Sequence, residues 1–180
     1  MKKILIVVDY QVDFVDGSLG FSGAELLDKP IAEKIRKYGK GNVYYTLDTH
    51  HDDYLMTREG KNLPVVHCIE NTPGWEVYGE TKKALADVGA IVLTKESFGI
   101  DLNIETFSIF PNDIKEIEIV GLVSNICVIS NAVILSTLFR DAKITVDAAL
   151  TASFDSELND KALDVMEGLQ IKVINRKDGK

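Results

Sequence analysis

Three reactive side chains stand at or shortly after the ends of short apolar segments: Asp9, Lys95 and Cys127. If these segments are parallel strands, their carboxyl ends meet at the edge of the sheet where open α/β proteins bind ligands. A thiol beside a carboxylate suits nucleophilic catalysis, because the thiolate attacks a carbonyl carbon while the carboxylate accepts and returns a proton. The ammonium group of a lysine could hold the thiolate and the carboxylate in position and help to stabilise the oxyanion that develops on the substrate. The pattern indicates a nucleophile, a general base and a cation in one site.

Each of these residues also has a plainer interpretation. We expect Cys127 in the first turn of the helix after the fourth strand, where backbone N–H groups and the helix dipole favour a thiolate. Free cysteine more often packs as a small hydrophobic side chain, and only the position at the strand end favours catalysis. Asp9 could instead cap a loop, and Lys95 could be a solvated strand-end charge. Cys68 is interpreted as a packed thiol without a catalytic role, because no strand end or helix start activates it.

A second candidate site lies in the long polar segment 48–75, which contains all three histidines of the sequence. Its carboxylates and imidazoles form a mixture that suits Zn²⁺ or another first-row divalent ion. The candidate ligands are Asp48, His50, Glu59 and His67. Histidines scattered through a loop are more often not ligands, so the residues alone leave this site open. His51 would point away from His50 in an extended segment and is predicted to lie at the surface.

The elements that must position these residues alternate along the chain. Short segments rich in Val and Ile are typical of strands buried on both faces of a parallel sheet, and they lie at 3–8, 42–47, 90–94, 117–122, 143–146 and 171–175. Helical patterns lie between them at 24–38, 76–87, 126–140 and 157–168. This alternation predicts right-handed βαβ crossovers and a three-layer α/β/α sandwich around a six-stranded parallel sheet.

Composition limits the possible functions and partners. The 180 residues are expected to form a single domain over 1–180. A formal net charge of −8, with no basic stripe, argues against a nucleic-acid partner. No apolar run reaches the ~20 residues of a membrane span, and no cleavage site follows the first apolar segment, so we expect a soluble protein without a membrane partner. Neither cysteine is in a CxxC pair, and we predict free thiols and a cytoplasmic location.

Four motifs resemble the isochorismatase-like cysteine hydrolases, and within them the nicotinamidases. They are DYQVDF after the first segment, DTH followed by a downstream HC, TKESFG, and GLVSNICV. The resemblance spans nearly the whole chain in the right order and implies a triad of Asp9, Lys95 and Cys127 on a six-stranded parallel sheet. It also implies a cis peptide near Leu122-Val123, which would aim the backbone N–H groups of Val123 and Cys127 into an oxyanion hole.

The resemblance further implies one divalent metal ion, zinc first and iron or manganese as alternatives. Asp48, His50 and His67 match the metal ligands, and Glu59 stands where some members have a carboxylate and others a histidine. The ion would coordinate a pyridine nitrogen while Phe14 and Phe98 flank the ring.

The sequence departs from the family pattern in three places. Ser124-Asn125 replaces the common Thr-Asp, LPVVH lacks the bulky aromatic residue that usually precedes the last histidine, and ESFGIDLN is shorter than the usual tyrosine-containing loop, leaving Phe98 as the stand-in. These changes leave the triad intact and put the substrate in doubt.

The function predicted from the sequence is hydrolysis of a small carboxamide, nicotinamide to nicotinate and ammonia, through a cysteine thioester. A small-molecule amide and further copies of the chain, in a homo-oligomer, are the expected partners.

Alternative functions differ in the residues that they require. Another amidase of the family acting on a carbamoyl or ureido compound would keep the same triad. Members that hydrolyse vinyl ethers of the isochorismate type dispense with the cysteine and the metal loop. A flavodoxin-like binding module would require a glycine-rich phosphate loop, which DYQVDFVDGS does not resemble. A non-catalytic interaction protein is hard to reconcile with these strand ends.

Overall fold

A six-stranded, all-parallel sheet forms the centre of the computed structural model, which describes residues 2–101, 103 and 108–176. The strands are β1 (Lys2–Val8), β2 (Val43–Asp48), β3 (Ile91–Lys95), β4 (Ile114–Leu122), β5 (Lys143–Ala152) and β6 (Lys172–Ile174). Their spatial order is β3-β2-β1-β4-β5-β6. The chain therefore winds outward in one direction from β1 and in the other from β4, and the carboxyl ends of these two neighbours form the crevice where such sheets bind ligands.

Helices cover both faces of the sheet. The α-helices whose bounds fall wholly within the described residues are α1 (Val12–Val15), α2 (Asp28–Tyr38), α3 (Arg58–Asn62), α4 (Gly79–Val88), α5 (Ile129–Leu138) and α6 (Ser156–Gly168). Apolar residues of α2 and α4 pack with Leu5 and Val7 of β1, whereas those of α5 and α6 pack with Ile4 and Ile6. This division follows from the alternation of side chains along a strand. It confirms the predicted three-layer α/β/α sandwich. No helix of the described ranges is long and apolar enough to cross a membrane.

Several predicted boundaries differ from those observed. The helix expected at 24–38 starts with a 3-10 segment, Ala24–Leu27, before α2 begins. The helix expected from 76 starts only at Gly79, because Val77 pairs with Gln11 in an isolated antiparallel bridge. Strand β5 continues past 146 to Ala152, where it pairs with the end of β4. The sequence analysis did not predict α1, α3 or the 3-10 segment Tyr54–Met56.

The expectation that every strand is buried on both faces is wrong for β3. Ile91 and Val92 are 38% and 42% exposed, because β3 lies at the edge of the sheet and pairs only with β2. An apolar sequence without alternation predicts the strand, but its exposure depends on its place in the strand order.

Gly121 is required where β4 packs against β1. Its φ is +113°, and a Cβ atom at this position would lie 2.0 Å from the carbonyl oxygen of Val8. We expect Gly121→Ala to lower the free energy of unfolding by at least about 2 kcal/mol, because it combines a strained backbone with a steric clash. Equilibrium urea unfolding measures the difference. Gly168→Ala is the matched control, since a Cβ there meets nothing within 4 Å, and equal losses in the two variants would contradict this role.

Candidate active site

Asp9 lies fully buried at the carboxyl end of β1, in a left-handed backbone conformation with φ 43°. Thr46 holds it from the neighbouring strand β2. The Thr46 hydroxyl donates to Asp9 Oδ1 at 2.6 Å and accepts from the Asp9 backbone N–H at 3.1 Å. Asp9 Oδ2 is thereby left facing Lys95, with 2.7 Å between this oxygen and Nζ.

Lys95 brings the reactive groups together. It is the last residue of β3 and is only 1% exposed. Its Nζ lies 2.7 Å from Asp9 Oδ2, 3.0 Å from Asp48 Oδ1 and 3.8 Å from Cys127 Sγ, and it donates to the Ser97 carbonyl at 2.9 Å. A buried ammonium with two carboxylates and a thiol is a charged centre shielded from water, where electrostatic interactions are strong. The plainer interpretation of Lys95 as a solvated charge is therefore wrong.

Cys127 lies in the turn between β4 and α5. This turn, Ser124–Val128, is π-helical, and the regular α-helix begins only at Ile129. Cys127 is buried against the core and also lines a cavity, so its thiol can meet a bound molecule. The peptide bond between Leu122 and Val123 is cis, as the family resemblance implied.

Burial controls the protonation of these groups. It raises the pKa of the Cys127 thiol well above its usual range, and Lys95, which lowers this pKa, does not offset burial and the nearby Asp9 carboxylate. Burial also raises the pKa of Asp9, against the lowering effect of Lys95. For Lys95 burial lowers the pKa, but the surrounding anionic groups, Asp9 first, raise it above the usual value. The resting site therefore favours a neutral thiol, a charged lysine, and a carboxylate whose raised pKa suits a group that takes up and returns a proton.

The cavity at Cys127 has a volume of about 540 Å³. Its lining comprises Phe14, Ser18, Leu19, Gly20, Asp48, Glu59, Leu63, His67, Phe98, Val123, Ile126, Cys127 and Phe154. The structure thus places the predicted ring-flanking residues Phe14 and Phe98, and the predicted oxyanion-hole residue Val123, around one space.

The four candidate metal ligands converge beside this cavity, which three of them, Asp48, Glu59 and His67, also line. One ligand atom from each of Asp48, His50, Glu59 and His67 lies within 4.8 Å of the others. Asp48 Oδ2 is 3.0 Å from His50 Nε2 and 3.5 Å from His67 Nε2. The other ring nitrogen of His67, Nδ1, lies 2.8 Å from the carbonyl oxygen of Val65, a contact that directs Nε2 toward the group.

The chemistry of this group fits a divalent cation. His50 Nε2 is buried and, although it lies 3.0 Å from Asp48 Oδ2, it makes no hydrogen bond of acceptable geometry among the described residues. Two imidazoles and two carboxylates match the preferred donors of zinc, and a cation between them would satisfy the orphaned nitrogen. His51, by contrast, is half exposed and stands outside the group, at the surface as predicted.

Two polar residues that the sequence analysis did not single out bind the backbone of segment 48–75, which carries the candidate metal ligands. The Gln11 side chain donates to the carbonyls of Asp48 and Trp75, each at 2.9 Å, and accepts from the Asp48 backbone N–H at 2.8 Å. The Asp13 carboxylate accepts from the Cys68 backbone N–H at 2.7 Å. Both belong to the DYQVDF motif, but nothing in the sequence shows that Gln11 is buried, so no sequence signal would have singled it out.

Asn131 holds the backbone around Cys127 in a similar way. Its amide donates to the carbonyls of Cys127 at 2.8 Å and Phe98 at 3.1 Å, and its oxygen accepts from the Ile100 backbone N–H at 3.0 Å. One fully buried side chain therefore ties the Cys127 turn to the segment that carries Phe98.

Cys68 is fully buried beside His67, and burial raises the pKa of its thiol. The pKa of Cys127 is raised as well, but Cys68 does not line the cavity and so cannot meet a bound molecule there, in keeping with its interpretation as a packed side chain.

Comparison with known proteins places this geometry in a family. The model of the isochorismatase domain matches residues 3–178. An uncharacterized isochorismatase family protein of Bacillus subtilis, PncA, is 28% identical over 171 residues, which cover 87% of this chain and 90% of the relative. A crystal structure of nicotinamidase/pyrazinamidase PncA from Bacillus subtilis is 25% identical with a TM-score of 0.83, covering 96% of this chain and 99% of that one. The pyrazinamidase of Pyrococcus horikoshii, solved in complex with zinc, is 24% identical with a TM-score of 0.81, covering 98% of this chain and 100% of that one.

Proposed function

Since the chain belongs to the isochorismatase family, we propose that it is a cysteine-dependent amidohydrolase that cleaves nicotinamide and related ring carboxamides. One observation carries the proposal: Lys95 Nζ contacts both Asp9 and Cys127, and Cys127 lines the same cavity as three of the four candidate metal ligands. A carboxamide at the thiol and a ring nitrogen at the metal would use both ends of this arrangement.

The reaction begins with transfer of the Cys127 proton to Asp9. The thiolate then attacks the carboxamide carbon, and Lys95 and the backbone N–H groups of Val123 and Cys127 stabilise the tetrahedral oxyanion. Asp9 returns the proton to the leaving nitrogen, so that ammonia departs and a thioester remains on Cys127. Water hydrolyses the thioester to the free acid and restores the thiol. The raised pKa of Asp9 supports its use as the group that first accepts and then donates this proton.

Asp48, His50, Glu59 and His67 would hold one divalent ion, for which their donor set favours zinc. When bound, the ion supplies a Lewis-acid position for the pyridine nitrogen. Phe14, which packs edge-on against His67 with 5.5 Å between the ring centres, would form one wall beside the substrate ring. The burial of Asp9 and Lys95 keeps water from screening these charged groups.

Ammonia release from a panel of amides tests the proposed activity. The panel contains nicotinamide, pyrazinamide, benzamide and a ureido compound, and the Cys127→Ala protein, purified in parallel, serves as the blank for contaminating amidases. We expect rapid release from the two ring-nitrogen amides. Release from the ureido compound alone would assign the chain to the carbamoyl-specific alternative and contradict the proposal.

Metal removal is expected to affect substrates according to their ring nitrogen. Chelation should raise the KM for nicotinamide by about 10- to 100-fold, because one strong interaction to the ring is lost, whereas benzamide, which lacks the ring nitrogen, should change by much less. Kinetics on both amides, with elemental analysis of protein purified without chelator, provide the measurement. Active protein without stoichiometric metal, or equal effects on the two amides, would rule out this role of the ion.

A further inference from the structure

The cavity at Cys127 is larger than a single-ring amide requires. Its volume of about 540 Å³ lies within the range of about 300–1,000 Å³ typical of sites for drug-sized ligands. Lys95 Nζ contacts both Asp48, in the metal group, and Cys127, so the two groups that would hold nicotinamide lie close together. A single-ring amide held between them fills only part of this volume, and we call the remainder, on the side of the exposed lining residues, the outer part.

The outer part is lined by apolar side chains that remain exposed. Phe154 is 61% exposed, and Leu63 and Phe98 are each 38% exposed. Phe154 packs edge-on against Phe21, with 6.4 Å between the ring centres. Exposed apolar side chains grouped around the mouth of a pocket mark a surface that a ligand covers, since covering them removes apolar area from water. We call Leu63, Phe98 and Phe154 the outer rim.

The distribution of charge restricts what can lie against the outer rim. The ionisable residues of the cavity wall, apart from the Cys127 thiol, are Asp48, Glu59 and His67, which all belong to the metal group. No lysine or arginine is among the described residues that line the cavity. An anionic extension such as a phosphate or carboxylate, placed against the outer rim, would therefore meet no cationic side chain among the described lining residues, and burying it would cost free energy.

We propose that the physiological substrate is an uncharged carboxamide whose ring carries an apolar substituent, held by the outer rim. This inference rests on the proposed amidohydrolase function and names the class of amide. The rim residues act in specificity, and the catalytic steps at Cys127 are the same for substituted and unsubstituted rings.

The test compares kcat/KM for three amides: nicotinamide, nicotinamide with a butyl group on the ring carbon meta to both the nitrogen and the carboxamide, and the same compound with the butyl group replaced by a carboxyethyl group. We expect the butyl amide to exceed nicotinamide by at least about tenfold, and the carboxyethyl amide to fall below it. Phe154→Ala should reduce the ratio of butyl amide to nicotinamide severalfold. Leu169→Ala, an exposed apolar residue that does not line the cavity, should leave this ratio unchanged.

The possible failures are distinguishable. No turnover of any of the three amides would overturn the proposed function itself. Turnover of nicotinamide at an efficiency equal to or above that of the butyl amide would overturn only the inference on the substrate class. Sedimentation of the native and Phe154→Ala proteins measures whether the outer rim is a contact between copies of the chain. An oligomer that this substitution dissociates, with an unchanged ratio of the two amides, would assign the outer rim to a contact between copies of the chain and would also overturn the inference.

Discussion

Replacing Cys127 by Ala is expected to lower amide turnover by at least about 10⁴-fold while the protein stays folded. In the proposed mechanism the bond from the thiol to the acyl carbon replaces the C–N bond, and no other described nucleophile combines contact with Lys95 and exposure to the cavity. Steady-state ammonia release measures the loss, and circular dichroism with urea unfolding checks the fold. Mass spectrometry of acid-quenched turnover should find the acyl group on the peptide that contains Cys127.

Cys68→Ala is the matched control, since it removes the second thiol of the chain. Cys68 is fully buried in the loop beside His67, so its loss should reduce the free energy of unfolding but leave most of kcat. Equal loss of turnover in the two cysteine variants, with both folded, would refute the assignment of Cys127 as the sole nucleophile.

The sequence was sufficient to find the residues at the strand ends because their position follows from chain order. Short apolar segments alternating with helices predict parallel strands, and parallel strands bring Asp9, Lys95 and Cys127 to one edge whatever the details of packing. The resemblance of DTH and HC to a known family then related His50 and His67 across a loop that has no periodicity of its own.

The residues that the sequence analysis missed act through contacts that no pattern encodes. Gln11 binds backbone groups of Asp48 and Trp75, which are distant in sequence, and Asn131 joins the Cys127 turn to Phe98. A polar side chain on a strand end or helix has the same appearance in the sequence whether it is solvated or buried. Its role depends on which backbone groups the loops leave unpaired, and this is set only when the chain has folded.

The second large effect is expected from Asp9→Asn, which should lower turnover by about 10²- to 10⁴-fold. Asparagine keeps the shape of the side chain but cannot accept the thiol proton or deliver it to the leaving nitrogen. Reactivity of the thiol itself should change in the opposite direction. Asp9 raises the pKa of Cys127 and Lys95 lowers it, so removal of the carboxylate charge lowers the thiol pKa and shifts alkylation by iodoacetamide to lower pH. A residue with a purely structural role would not separate these two measurements.

The same variant predicts how the pH profile should change. In the proposed mechanism we expect the raised pKa of Asp9 to set the acidic limb of kcat/KM, because below this pKa the carboxyl is already protonated and cannot serve as the base. This limb should disappear in Asp9→Asn.

The Asp9→Asn, Lys95→Gln double variant should lose about as much activity as the less active of the two single variants. The effects of substitutions on activity do not add when the residues act as a unit. Asp87→Asn, on the exposed face of α4, controls for the loss of one negative charge. If Asp9→Asn leaves both the rate of alkylation and its dependence on pH as they are in the native protein, Asp9 is not the general base.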